Sequence, residues 1–202
     1  MKDNHKILLT KFLIHCLALI PFIQTYYLAI TDLSITDPVE MVIHFTGEGA
    51  IQLLIYTLCI APAAKKFKLS WLMQTRRLIG LYVFFYALAH ILSFWWFELN
   101  MQVSLFIQEL LERPYIWVGL GAFIILTALA VTSPNSIRAK MGRKWQSLHN
   151  WVYLSLVLAW VHFYWAVKAT PSEPLAFLAG VIFVFAIRWP MLKKWLKGLR
   201  KF

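Results

Sequence analysis

The sequence predicts an all-α integral membrane protein, a bundle of six transmembrane helices with both termini in the cytoplasm. Three observations carry this reading. Of the 202 residues, 60% are hydrophobic and only 14% are charged, whereas a soluble domain is about half apolar and about a quarter charged. Uncharged runs recur at close to membrane length. The basic residues fall almost entirely in alternate connections between those runs. The composition, with a mean hydropathy of +0.65, excludes an ordinary soluble globule, a disordered chain and a disulfide-rich secreted domain. No strand alternation suited to a lipid-facing barrel is present.

A span needs about 20 residues, at about 1.5 Å each, to cross roughly 30 Å of hydrocarbon. The first uncharged run, Phe12 to Ile30, predicts a span over residues 8–30. It is too long for a signal-peptide core, carries Lys11 and His15, and precedes no small-residue cleavage site, so it reads as retained. The second run, Gly49 to Ala64, predicts a span over 45–64, begun a turn early. Leu78 to Phe97 predicts 78–98, Pro114 to Ile137 predicts 114–134, and Trp145 to Val167 predicts 147–167. The last run, Pro174 to Ile187, reaches a span of 174–192 if Arg188 snorkels toward the headgroups. The whole of residues 1–202 reads as a single domain. Between the third and fourth spans, Val103, Phe106, Ile107, Leu110 and Leu111 recur at helical spacing and predict an amphipathic helix on the outer surface.

Charge sets the orientation. Of the 20 basic residues, 18 lie in the N-terminal flank, the 65–77 loop, the 138–144 loop and the C-terminal tail. The other face keeps only Arg113 and Lys168, together with eight of the nine acids. This split places both termini inside the cell and accounts for the net charge of +11 without nucleic acid. Cys16 and Cys59 lie within spans and read as packing thiols rather than a disulfide. No internal repeat is visible, and no dinucleotide or phosphate-binding glycine motif occurs.

The histidines carry the chemistry. There are six, His5, His15, His44, His90, His149 and His162, and ionisable groups at membrane depth are costly enough to mark candidate sites. His90 follows Arg77 by 13 residues, and His162 follows His149 by 13. The third and fifth spans both run outward, so each pair is separated by about 20 Å along its helix. His90 and His162 would then share an outer level, and Arg77 and His149 an inner one. Two imidazoles on facing helices are what a low-spin b-type haem iron needs axially. Arg77 cannot ligate iron but can pair with a haem propionate through its planar fork. His149 is therefore the candidate protein ligand of any inner haem. On an ideal helix, 13 steps of 100° leave the two levels about 140° apart, so helix distortion or distinct azimuths are expected. His15 reads as an interhelical hydrogen-bonding residue, and His44 as a capping or interfacial one.

Several stretches together resemble the MsrQ family, haem-binding membrane subunits of bacterial protein-methionine-sulfoxide reductase systems. They are His44-Phe45-Thr46-Gly47, Thr75-Arg76-Arg77-Leu78-Ile79-Gly80 leading to His90, Arg113-Pro114-Tyr115, and Trp145-Gln146-Ser147-Leu148-His149-Asn150-Trp151-Val152-Tyr153 leading to His162. The resemblance spans about Ile14 to Arg188, and its wider relationship is to ferric-reductase-like membrane domains. It implies a multi-pass protein of the bacterial inner membrane that takes electrons from the quinol pool or a cytosolic flavin reductase. It implies one or two haem b groups, FMN as a further cofactor, and a periplasmic molybdopterin-containing methionine sulfoxide reductase subunit as the acceptor. The ligand roles it implies fall on His90, His149 and His162, with Arg77 as a secondary candidate. Two positions depart from the family pattern: Glu48 stands where a basic residue is expected, and Trp160 where proline is expected.

Two other readings differ in what they require. A ferric or other metal reductase of the same domain type would act without a periplasmic partner. A small transporter using membrane histidines as a proton relay would show no chromophore and would favour broken helices, for which Pro21 and Pro62 are the interior candidates.

Overall fold

The computed structural model describes residues 2–167 and 172–199, so Lys168, Arg200 and Lys201 lie outside the described residues. Among the described residues all regular structure is helical. The chain forms two compact units, residues 1–114 and residues 115–202.

The first unit holds α1 (Lys2–Thr31), α2 (Pro38–Lys66), a 3₁₀ turn (Ser70–Gln74), α3 (Arg76–Ser93) running into a single π turn (Phe94–Glu98), and α4 (Val103–Glu112). Helix α2 starts earlier than the uncharged run because its cap is good. The Asp37 carboxylate accepts from the Glu40 amide at 2.8 Å, and Pro38 occupies the first helical turn, where a missing N–H costs nothing. The core is built from small residues facing aromatic ones: Ala18 and Ala50 pack against Tyr82 and Tyr86. Gly49 admits the Tyr86 ring, since a Cβ there would lie 2.6 Å from its carbons. Polar pins tie α1 to α3. Tyr86 donates to the Ala18 carbonyl at 2.6 Å, and the Tyr26 and Ser93 hydroxyls pair at 2.6 Å. Each such bond satisfies a group that lipid would leave unpaired.

The second unit holds α5 (Pro114–Val131) from its second residue on, α6 (Asn135–Met141), α7 (Arg143–His149), α8 (Val152–Ala166) and α9 (Ser172–Leu199). Helix α5 ends three residues before Pro134, whose ring disfavours helical geometry at the residue before it. Leu156 and Val184 are fully buried between α8 and α9, and the Ser155 hydroxyl donates to the Ala122 carbonyl at 3.2 Å. Trp160 donates its indole N–H to the Pro174 carbonyl at 2.8 Å, which ties α8 to the start of α9.

Among the described residues, five helices are long and apolar enough to cross a membrane: Asn4–Thr31, Pro38–Lys66, Ser70–Glu98, Pro114–Val131 and Ser172–Lys193. The expected span 147–167 is different. Its helix, α8, has 15 residues, and His149 sits in the short helix before it. The cause is a tightened turn: Trp151 N–H bonds to the Leu148 carbonyl and Tyr153 N–H to the Asn150 carbonyl, both three residues back. Arg188 lies within α9, buried at 9% exposure, with Nη1 3.8 Å from Met191 Sδ.

The surface is inverted relative to a soluble protein. Along α1, Leu8, Leu9, Phe12, Leu17, Ile20 and Ile23 are all exposed. An apolar stripe of that length marks a lipid or protein contact rather than a watered face. Helix α4 forms where the sequence places an amphipathic helix, with Val103, Ile107 and Leu111 exposed on one stripe.

Candidate functional site

His90 lies in the last turn of α3, and α2 seats it. Its Nδ1 donates to the Ile43 carbonyl at 2.9 Å. The ring lies over Gly47: a Cβ there would meet Nδ1 at 3.0 Å and Cε1 at 3.1 Å. The logic is local. In α2 the carbonyl of residue 43 and the glycine four residues later share one helix face, and only a bare Cα lets an imidazole reach past to that carbonyl.

His162 repeats this arrangement in the second unit. Its Nδ1 donates to the Tyr115 carbonyl at 2.8 Å, over Gly119, where a Cβ would meet Nδ1 at 2.7 Å. Histidine and carbonyl stand 47 residues apart in both cases. The Tyr115 ring adds an aromatic wall 5.7 Å from the imidazole. A carbonyl only accepts, so Nδ1 carries the proton in both histidines. In the neutral ring the lone pair is then on Nε2, the nitrogen that ligates iron in the usual histidine–carbonyl arrangement.

His149 is held differently. Its ring stacks on Trp145 with centroids 3.8 Å apart, and Trp145 in turn lies under the Arg138 guanidinium at 4.7 Å. Trp145 donates its indole N–H to the Thr132 carbonyl at 2.9 Å. The Thr132 hydroxyl donates to the Ala128 carbonyl at 2.6 Å, so its 3.1 Å contact with His149 is one it accepts, from Nε2–H. The lone pair of neutral His149 is therefore on Nδ1, the opposite tautomer to His90 and His162.

Arg77 is exposed in the first turn of α3, next to Arg76. Two cations at a helix N-terminus oppose the helix dipole, so the helix itself gives no reason for them. His15 is exposed on α1 and pairs through Nδ1 with the Tyr82 hydroxyl, as its interhelical reading expects. His44 is exposed on α2, 3.6 Å from the Glu40 carboxylate and 3.9 Å from that of Glu48. Glu48, which departs from the expected basic residue, thus lies one helical turn from His44. The residues that sequence reasoning passed over are Gly119 and Thr132, and the role of Gly47. For the two glycines the signal was the shared interval between histidine and carbonyl, which no repeat in residue identity reports.

Two comparisons bear on this geometry. Residues 46–160 match the family described as the ferric reductase like transmembrane component. The chain is also 38% identical, over 92% of its own length and 93% of the other's, to the protein-methionine-sulfoxide reductase heme-binding subunit MsrQ of Cronobacter sakazakii. The chain belongs to the MsrQ family. Membership and the five long apolar helices together make it a multi-pass membrane protein. The seats of His90 and His162 each hold an imidazole whose Nδ1–H is given to a backbone acceptor.

Proposed function

We propose that this protein is the haem-carrying electron-transfer subunit of a two-component reductase of the bacterial inner membrane. It takes electrons from the quinol pool or a cytosolic flavin reductase. It passes them to a periplasmic molybdopterin-containing subunit that reduces methionine sulfoxide in oxidised envelope proteins. The observation that carries this reading is the matched seating of His90 and His162, each with Nδ1–H given to a main-chain carbonyl.

Haem b, when bound, supplies a one-electron carrier within the low-dielectric interior. The protein's own part is to hold and orient. His90 and His162 would hold the haem iron through Nε2, and the carbonyls of Ile43 and Tyr115 would raise the basicity of those nitrogens. Arg77, exposed and unfavourably placed for its own helix, is suited to a haem propionate. To offer Nε2 to a second, cytoplasmic-side haem, His149 would have to give up the Thr132 hydroxyl. FMN is carried over from the family resemblance and is assigned to no residue. The charge distribution supports both termini, the 65–77 loop and the 138–144 loop in the cytoplasm.

The test is a reduced-minus-oxidised spectrum of the purified protein, with His90→Ala and His162→Ala alongside. A b-type signal lost or strongly diminished in each variant is expected. Two single variants with full haem load and an unchanged low-spin spectrum overturn the ligand assignment. Reduction of ferric chelates without any periplasmic partner, at the rate seen with one, would favour a metal reductase instead.

A further inference from the structure

The two seats share a part that has no chemistry of its own. Gly47 and Gly119 contribute no polar side chain, yet each is the residue the imidazole rests on. We infer that Gly47 and Gly119 are positioning residues for haem ligation, setting the plane and the hydrogen bond of His90 and His162 respectively. This inference rests on the proposed reading of those histidines as iron ligands.

The argument is steric first. A Cβ on Gly119 would stand 2.7 Å from His162 Nδ1, 2.9 Å from Cε1 and 3.0 Å from Cγ. The whole near edge of the ring is affected, so rotation about one bond does not relieve it. The ring must lift away from α5, and the 2.8 Å bond to the Tyr115 carbonyl lengthens or breaks. At Gly47 the closest approach is 3.0 Å, so the same displacement is smaller. The consequence is electronic as well as geometric. An imidazole that donates Nδ1–H to a carbonyl is a more basic ligand and favours the oxidised metal. Loss of that bond therefore raises the reduction potential while leaving the ligand residue in place.

The same helices provide controls. Gly121, also on α5, has Leu158 as its nearest neighbour at 3.6 Å, and Gly80 on α3 has Thr57 at 3.8 Å. Both are ordinary contacts, and Gly→Ala within a helix changes backbone propensity alike at each position. A purely structural effect would therefore appear in the controls too.

The experiment compares full-length wild-type protein with Gly119→Ala, Gly47→Ala, Gly121→Ala and Gly80→Ala, purified in detergent. It measures haem per protein, the low-spin ferric EPR signal and the reduction potential. Haem retention is expected to weaken about 10-fold in Gly119→Ala, the size of effect typical when a ligand's outer partner is lost. Its EPR signal should shift and its potential rise. Gly47→Ala should change in the same direction by less, and the two controls should match wild type. Should Gly119→Ala fail to accumulate, Gly47→Ala carries the same test. A histidine-selective ¹⁵N spectrum of haem-free protein, reporting the His162 and His90 Nδ1–H, gives a readout independent of haem. If wild type and Gly121→Ala hold low-spin haem and both seat variants match them in content, signal and potential, this inference alone falls. If wild type holds no haem, the ligand reading falls and takes this inference with it.

Discussion

The His149 imidazole lies flat on the Trp145 indole, centroids 3.8 Å apart and planes 24° from parallel, while its Nε2–H is held by the Thr132 hydroxyl. A ring so held has its face and one nitrogen committed. Thr132→Val removes the acceptor and frees Nε2 to ligate. If His149 binds iron, Thr132→Val is expected to raise haem content, and His149→Ala to remove a distinct haem component from the spectrum. A His149→Ala protein with an unaltered spectrum and normal electron transfer would assign His149 to the Arg138–Trp145 stack instead.

Gly49 and Gly80 separate crowding from propensity in the first unit. Gly49→Ala drives a methyl to within 2.6 Å of the Tyr86 ring, which its own bond to the Ala18 carbonyl prevents from yielding. Overpacking of this kind costs roughly 1–3 kcal/mol. Gly80→Ala meets only Thr57 at 3.8 Å and is expected to stabilise by up to about 1 kcal/mol. Thermal unfolding in detergent should lower the midpoint for the first and hold or raise it for the second. A neutral Gly49→Ala would show that the Tyr86 packing is looser than described.

Asp32, in the connection after α1, gives a signed pH dependence. The Ser34 hydroxyl donates to its carboxylate at 2.6 Å and the Ser34 amide at 3.0 Å, and the hydroxyl bond is the larger cause of a pKa held below 3.8. A depressed folded pKa means that the ionised form favours the folded loop. That contribution is complete above the unfolded value and fades as pH falls through the lower folded one. Ser34→Ala should move the Asp32 titration upward toward 3.8, followed by carboxyl ¹³C shifts, with no change at neutral pH. An unmoved titration would rule out the hydroxyl as the cause.

Topology is tested through the two basic loops. Reporter domains fused within residues 65–77 and 138–144 should be active as cytoplasmic reporters and silent as periplasmic ones. A periplasmic signal from either loop would reverse the orientation drawn from the basic residues.

The helical class was legible because it rests on composition and run length, which act residue by residue. The second span's start was less so. Its uncharged run begins at Gly49, but the helix is set by Asp37 and Pro38, a cap that lies among charged residues. The break between α7 and α8 was not legible, since neither Gly nor Pro marks Asn150 or Trp151 and the uncharged run continues through them. For the candidate site, the histidines were visible as costly groups at membrane depth. What distinguishes them was not, because tautomer and seating depend on contacts made across 47 residues for His90 and His162 and across 17 for His149.

The acceptors that orient His90 and His162 are main-chain oxygens, offered by Ile43 in one unit and Tyr115 in the other. Two side chains so unlike supply the same oxygen because every residue in a helix carries one. The orientation of each imidazole is thus indifferent to the residue that names the acceptor, and mutation there is free to serve packing or lipid contact. The information needed to specify each seat shrinks to one histidine and one absent side chain. Such a device can stand in two halves of a chain that share no readable repeat.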